Sequence, residues 1–184
     1  MKAALIDRDG TINADIGYLN KPEEWQFIKG AEKALKRIQD AGFRLVIITS
    51  QSGIGRGYYS VDDMHRVHEH MKGLLAGHGV RIDGIYFCPH RPDEGCRCRK
   101  PDTLMIEDAQ RDFGLDLRSC YVIGDKTADI KMGQNAGCRT ILVMTGKGGR
   151  DGEFDARPDF VAEDIARAAE IIEREPGCKK QNPR

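Results

Sequence analysis

The sequence contains no long hydrophobic run and no excess of charge of either sign. Its apolar stretches are short and are interrupted by polar or glycine residues, so none is long enough to cross a membrane as a helix. The 184 residues include 29 basic and 29 acidic side chains, which leaves a formal net charge of zero. This balance gives no electrostatic reason to expect a nucleic acid or an anionic membrane as the partner.

The sequence also lacks the basic and apolar segments of a secretory signal, since Met1-Lys2-Ala3 leads directly into a strand-like run. We therefore expect a soluble, cytoplasmic protein. We expect a monomer because no long, edge-like hydrophobic segment stands out. In a reducing compartment the six cysteines are poor candidates for a disulfide framework, which makes metal binding the better interpretation for those that cluster.

Short apolar runs rich in β-branched residues alternate with stretches of helical spacing. The runs predict buried parallel strands at residues 3–6, 45–48, 85–88, 121–123 and 140–144. The helical stretches lie within residues 31–41, 61–75, 106–113 and 165–172, and Gly42 and Gly114 are placed to end two of them. This alternation predicts an α/β fold with a parallel sheet and helices on both faces. We expect one domain over residues 1–175 and a disordered tail over 176–184.

Polar side chains follow the predicted strands at the points where the strands end. They are Asp7, Asp9, Thr49, Asp125 and, one helical turn later, Asp129, and Lys100 precedes the third helix. In open α/β sheets, ligands bind at the carboxyl ends of the strands. We therefore expect these side chains to meet at one edge of the sheet.

This set of residues matches what phosphoryl transfer requires. Asp7, Asp125 and the carbonyl of Asp9 can supply the oxygen ligands that Mg²⁺ prefers. Thr49 and Lys100 can neutralise the phosphoryl oxygens. Asp7 can attack phosphorus, and Asp9, which points the same way in an extended segment, can protonate the leaving oxygen and then activate water. A lone Asp-x-Asp is usually a solvated turn, but the ordered set predicts a magnesium-dependent phosphomonoesterase that forms an aspartyl-phosphate.

A second cluster lies in the middle of the chain. Cys88, His90, Cys96 and Cys98 form a Cys-x-His-x₅-Cys-x-Cys pattern, which suits tetrahedral Zn²⁺. Because the set is complete, it leaves no open position for catalysis, so we interpret the zinc as structural. It would order a loop without a core of its own and hold the two basic residues that follow Cys98 over the phosphate site.

Asp7-Arg8-Asp9-Gly10-Thr11-Ile12, Thr49, Lys100 and Gly124-Asp125-x-x-x-Asp129 resemble the four motifs of the haloacid dehalogenase (HAD) superfamily. The resemblance implies that Asp7 is the nucleophile and Asp9 the acid and base. It implies that Thr49 and Lys100 hold phosphate, that Asp125 binds Mg²⁺ and that Asp129 orients metal-bound water. It also implies a Rossmann-like or flavodoxin-like core. No insertion is large enough for a separate cap domain, so we expect a rather open site.

The CPH…CxCRKP loop is similar to that of the D-glycero-D-manno-heptose 1,7-bisphosphate 7-phosphatases and the related histidinol-phosphate phosphatases. The heptose enzymes favour further segments present here, at residues 15–18, 51–57, 124–126 and 145–148. That resemblance implies a role in nucleotide-activated heptose synthesis for lipopolysaccharide. It implies substrate contacts from Asp15, Ile16, Gly17, Tyr18, Thr49, Ser50, Gln51, Ser52, Arg99, Lys100 and Lys126.

Three alternatives stay open. Histidinol-phosphate phosphatase is the nearest, because the segment between His90 and Cys96 is as short as in many of those enzymes. Against it, Arg56, Arg99 and Lys126 are more cations than one phosphate needs, which favours a bisphosphate. The neutral charge argues against a polynucleotide 3′-phosphatase. A zinc-stabilised binding module without activity is the non-enzymatic alternative.

Overall fold

The computed structural model describes residues 1–175, and the tail predicted at 176–184 lies outside them. Within the described part, the strands are β1 (Ala3–Ile6), β2 (Arg44–Ser50), β3 (Gly84–Cys88), β4 (Tyr121–Gly124), β5 (Arg139–Val143) and β6 (Phe160–Ala162). The helices are α1 (Ala31–Asp40), α2 (Ser52–Gly55), α3 (Val61–Ala76), α4 (Leu104–Phe113), α5 (Thr127–Ala136) and α6 (Ile165–Arg174). Short 3₁₀ turns lie at Pro22–Glu24, Pro92–Glu94 and Leu117–Ser119.

The six strands form one parallel sheet in the order β3-β2-β1-β4-β5-β6. The predicted parallel α/β fold is therefore confirmed, and this is the Rossmann-like strand order rather than the flavodoxin-like one. The chain winds outward in one direction from β1 to β3 and in the other from β4 to β6. The order thus reverses between β1 and β4, and the crevice at their carboxyl ends is the expected ligand position.

Two hydrophobic layers hold the sheet between its helices. Successive side chains of β1 alternate, so Ala4 and Ile6 pack in one layer while Ala3 and Leu5 pack in the other, and all four are fully buried. The first layer includes the apolar faces of α1, α3 and α6, and the second those of α4 and α5. None of the helices within residues 1–175 is long and apolar enough to span a membrane.

The structure contains a strand and two helices that the sequence did not predict. Strand β6 has three residues, of which only Ala162 is fully buried, so its apolar pattern is too short to predict a strand from the sequence. Helix α2 has only four residues. The buried face of helix α5 includes Asp129 and Gly133, a carboxylate and a residue without a side chain, so the helix lacks the apolar stripe of the other helices.

Gly133 lets α5 approach the sheet closely. A methyl group at this position would lie 2.6 Å from the Thr140 methyl carbon and 2.9 Å from Val122 Cβ. Both neighbours are buried in the sheet, so they have little room to yield. The missing side chain of Gly133 therefore sets the distance between the sheet and the helix that carries Asp129.

We expect Gly133→Ala and Gly73→Ala to change stability in opposite directions. Gly73 lies in α3 with no atom within 4 Å of an added methyl group, so alanine should stabilise the protein by about 0.5–1 kcal/mol. Gly133→Ala should destabilise it by about 1–3 kcal/mol through overpacking. Urea unfolding of both variants measures the difference, and an equal gain in stability at both positions would contradict the close approach of α5.

Candidate active site

Three carboxylates meet where the strand order reverses. Asp7 directly follows β1, and its N–H donates to the Ile123 carbonyl of β4 at 2.9 Å. Asp125 directly follows β4, and Asp129 lies in the first turn of α5. All three are buried, and each offers an oxygen within 4.8 Å of the others. The carboxylates that the sequence placed at separate strand ends therefore lie together.

The turn after Asp7 curls back towards Asp125. The carbonyl of Arg8 accepts from the Ile12 N–H at 2.9 Å, and the N–H of Gly10 donates to the Asn13 carbonyl at 2.8 Å. Gly10 has φ of 87°, in the left-handed region, and a Cβ there would lie 2.5 Å from Asp125 Oδ2. Only glycine satisfies both conditions without strain, because it has no side chain.

A second loop, residues 145–149, holds Asp125 from the other side. Asp125 Oδ2 accepts from the backbone N–H of Lys147 at 2.6 Å, and its carbonyl accepts from Gly149 at 2.7 Å. The Thr145 hydroxyl donates to the Gly10 carbonyl at 2.7 Å, which ties the two loops together. Sequence reasoning assigned this loop no part in holding the carboxylate. The available signal was its three glycines, Gly146, Gly148 and Gly149, and all three have positive φ in the structure.

Lys100 bridges two of the carboxylates. Its Nζ donates to Asp7 Oδ1 and to Asp129 Oδ1, both at 2.6 Å, and the lysine is buried. Burial lowers the pKa of the Lys100 amine, but the charges of Asp129 and Asp7 outweigh it and leave the pKa raised. The lysine is therefore charged and neutralises part of the negative charge of the site.

One lysine does not compensate three buried carboxylates. Burial, with a contribution from the charge of Asp129, raises the pKa of Asp7 to about 6 despite the opposing charge of Lys100. Burial, followed by the charge of Asp7, raises the pKa of Asp125 to about 7. Asp125 Oδ1 is buried without a hydrogen-bond partner. A small cation with oxygen ligands fits this donor set, because it would occupy the unsatisfied oxygen and offset the excess negative charge.

Asp9 faces the same site in a different electrostatic setting. Burial raises the pKa of Asp9, but the charge of Arg8 and hydrogen bonds from Asn13, Arg8 and Gln51 outweigh it, so the pKa is lowered. The resting carboxylate is therefore ionised.

A cavity of about 220 Å³ lies over these groups, and Thr49, Ser50, Arg99 and Lys126 line it with Asp7, Asp9, Lys100 and Asp129. Lys147, Asp151 and Glu153 also line it and were not predicted.

The other predicted substrate contacts do not line this cavity. Ile16 and Tyr18 are exposed, Gln51 is buried beside Thr49, and Ser52 begins α2. Asp15 Oδ2 lies 4.0 Å from Lys126 Nζ, and Gly17 N–H donates to Asp15 Oδ1. Asp15 therefore lies next to a residue that lines the cavity.

The predicted cysteine and histidine cluster comes together beside this cavity. Cys98 Sγ lies 3.0 Å from Cys88 Sγ and 3.6 Å from Cys96 Sγ, and His90 Nδ1 lies 3.2 Å from Cys98 Sγ. All three cysteines are free thiols. Zn–S bonds of about 2.3 Å place tetrahedral ligands somewhat under 4 Å apart, so the four atoms are close to the arrangement that Zn²⁺ takes.

The cluster is attached at both ends to segments beside the buried carboxylates. The Cys88 carbonyl accepts from the Gln51 N–H at 2.7 Å, and the Pro89 carbonyl accepts from the Gly55 N–H at 2.9 Å. At the other end, only one residue separates Cys98 from Lys100. The position of Lys100 over Asp7 therefore depends on a loop that these four side chains can fasten.

Comparison with known proteins gives one consistent result. Residues 97–168 match the HAD-hydrolase-like family model. A D-glycero-beta-D-manno-heptose-1,7-bisphosphate 7-phosphatase of Haemophilus ducreyi is 44% identical over 154 residues, 79% of this chain and 85% of that protein. A D-glycero-D-manno-heptose-1,7-bisphosphate 7-phosphatase of Thermosynechococcus vestitus is 40% identical and covers 92% of this chain and 94% of its own.

A solved structure agrees with the sequence relatives. The D,D-heptose 1,7-bisphosphate phosphatase of B. bronchiseptica, complexed with magnesium and phosphate, superposes with a TM-score of 0.85 and is 36% identical. The match covers 94% of this chain and 98% of that one. These similarities confirm the resemblance on which the sequence analysis rested.

We expect Asp125→Asn to stabilise the metal-free protein at high pH and to remove its response to Mg²⁺. The folded-state pKa of Asp125 is about 7, above the value of about 3.9 for a free aspartate, so wild-type stability is lost as pH rises through that interval. Relative to wild type, the variant should gain on the order of 2–4 kcal/mol between pH 4 and pH 8.

Thermal unfolding with and without Mg²⁺ checks both parts of this prediction. Wild type should be stabilised by Mg²⁺ through mass action, whereas Asp125→Asn should not respond. Glu153→Gln is the matched control, because Glu153 lines the same cavity outside the carboxylate cluster. An Asp125→Asn protein that Mg²⁺ stabilises as strongly as wild type would contradict the assignment of the cation site.

Proposed function

Because this chain belongs to the D-glycero-D-manno-heptose 1,7-bisphosphate 7-phosphatase family of the HAD superfamily, we propose that it hydrolyses the 7-phosphate of such a bisphosphate and releases the 1-phosphate. The observation that carries the proposal is that Asp7, Asp125, Asp129 and Lys100 meet at one point, under the cavity of about 220 Å³. The product would serve the synthesis of nucleotide-activated heptose.

In the first half of the reaction, an Asp7 carboxylate oxygen attacks phosphorus. A bond forms between Asp7 and phosphorus while the bond to the sugar oxygen breaks, and Asp9 gives that oxygen a proton. Because the resting Asp9 is ionised, it must take up a proton before this step. Lys100 holds Asp7 in place by its hydrogen bond to Oδ1.

In the second half, Asp9 accepts a proton from water as the water attacks the phosphorus of the aspartyl-phosphate. The bond to Asp7 breaks, phosphate leaves and the Asp7 carboxylate is restored. Mg²⁺ held by Asp7, Asp125 and the carbonyl of Asp9, with Asp129 orienting its water, would neutralise charge on the phosphoryl group. Thr49 lines the cavity, in keeping with a phosphate-binding role.

The cations of the cavity support a bisphosphate substrate. Arg99, Lys100, Lys126 and Lys147 all line it. Lys100 is paired with carboxylates, whereas Arg99 Nη1 is buried without a hydrogen-bond partner among the described residues. Two phosphates would use these donors more fully than one. The location in the cytoplasm and the monomeric state stay predictions of the sequence.

Phosphate release from the anomers of heptose 1,7-bisphosphate and from histidinol phosphate, measured in parallel with Mg²⁺, tests the substrate. We expect a preference of several hundredfold for a heptose bisphosphate, about 3–4 kcal/mol in the transition state. Asp7→Asn should abolish turnover without unfolding the protein. Asp62→Asn is the control: Asp62 lies at the exposed start of α3, and this variant should retain full turnover. A preference for histidinol phosphate would contradict the substrate, and an active Asp7→Asn protein would contradict the mechanism.

We further propose that Cys88, His90, Cys96 and Cys98 bind one structural Zn²⁺. Cys98→Ala should lose the metal, destabilise the loop and reduce turnover by displacing Lys100. Cys138→Ala is the matched control, because Cys138 is a buried thiol outside the cluster. Metal content by mass spectrometry, alongside turnover, checks the prediction. A purified protein without zinc, or a Cys98→Ala protein that retains it, would contradict the site.

A further inference from the structure

Arg8 is a buried charge that the mechanism above does not use. It lies between Asp7 and Asp9 in sequence, yet it is 1% exposed and is not among the residues that line the cavity. Its Nη2 donates to Asp9 Oδ2 at 2.8 Å and to Asp9 Oδ1 at 3.0 Å, and its Nη1 lies 2.9 Å from His68 Nε2. A buried guanidinium is costly unless its donors are satisfied, so each of these contacts matters.

The guanidinium belongs to a network that fixes the orientation of Asp9. Asn13 Nδ2 donates to Asp9 Oδ1 at 2.9 Å, and Gln51 Nε2 donates to Asp9 Oδ2 at 3.1 Å. Gln51 is held in turn by the Tyr59 hydroxyl, which donates to its Oε1 at 2.7 Å. Arg8 is the charged donor of the set and the one that contacts both carboxylate oxygens.

His68 approaches Arg8 from the opposite side. It lies in α3 and is 2% exposed. Burial, together with the positive charge of Arg8, lowers the pKa of His68 to about 3. The ring is therefore neutral at neutral pH, and the contact with a guanidinium places the lone pair on Nε2 and the proton on Nδ1. His68 accepts from Arg8 Nη1 and leaves Nη2 to Asp9.

We propose that His68 is a positioning residue, which fixes the Arg8 guanidinium by accepting from Nη1 and thereby holds Asp9 in the orientation that transfers protons at the cavity. The inference rests on the proposed function, because it takes Asp9 as the acid and base. Without an acceptor at position 68, Nη1 would be buried and unsatisfied. The guanidinium would then rotate or recruit water, and the Asp9 carboxylate would lose its fixed direction.

Position 68 offers substitutions that separate this role from simple packing. His68→Gln retains an acceptor near the place of Nε2. His68→Leu fills much of the space without an acceptor, and His68→Asn is polar but too short to reach Arg8. His65→Leu is the control, because His65 lies one turn earlier on α3, is exposed and contacts the ring of His68 without touching Arg8.

The experiment compares a substrate that needs an acid with one that does not. The sugar oxygen of heptose bisphosphate is a poor leaving group, whereas p-nitrophenolate leaves without protonation. In His68→Leu and His68→Asn, we expect kcat for heptose bisphosphate to fall about tenfold to a hundredfold with little change in KM. First-turnover release of p-nitrophenol from p-nitrophenyl phosphate should fall less than threefold. His68→Gln should recover most of the loss, and His65→Leu should match wild type.

The outcomes separate this inference from the proposed function. Suppose that wild type is active. The positioning role alone would be overturned if His68→Leu and His68→Asn slowed the reactions of heptose bisphosphate and p-nitrophenyl phosphate equally, or slowed neither. Failure of His68→Gln to recover activity that His68→Asn lacks would overturn it as well. A wild type that releases phosphate from neither substrate would overturn the proposed function and this inference with it. Should His68→Leu fail to fold, the comparison of His68→Asn with His68→Gln decides.

Discussion

The repulsion among the carboxylates of Asp7, Asp125 and Asp129 is the constraint on which the rest of the site depends. They are buried within one small space, and Lys100 offsets only part of their charge. Such a cluster destabilises the folded protein until a cation joins it, because burial and mutual repulsion favour the protonated forms. The same excess of negative charge that lowers the stability of the metal-free protein favours binding of a metal ion. Gly10 packs closely against Asp125, which leaves this carboxylate no room to move away from the others.

Elements distant in sequence enforce that arrangement. The reversal of strand order brings β1 and β4 together, and the small Gly133 sets α5 close to the sheet. The loop that carries Cys98 also carries Lys100, so the cysteine and histidine cluster is linked to the three buried carboxylates through the backbone. Arg8 and Asp9 form a second charged pair beside the first. In that pair the charges balance, which explains why the pKa of Asp9 is lowered while the pKa values of Asp7 and Asp125 are raised.

The strand ends and the cysteine cluster could be predicted from the sequence, because each depends on a local pattern whose chemistry is specific. The pairing of Arg8 with His68 could not, since it joins a turn to a helix 60 residues away and no local sequence pattern relates the two residues. The hold of residues 145–149 on Asp125 was missed for the same reason. Likewise, the direction in which the pKa of Asp9 shifts depends on distances that no motif encodes.

The central claim is that Asp7 carries the phosphoryl group, and chemical trapping tests it most directly. Borohydride reduces an aspartyl-phosphate to homoserine, which mass spectrometry of the peptide containing residue 7 can identify. During turnover of heptose 1,7-bisphosphate, we predict conversion at Asp7 that is absent without substrate and absent in Asp7→Asn. Continued turnover with no conversion, or conversion at Asp9 or Asp125 instead, would contradict the account.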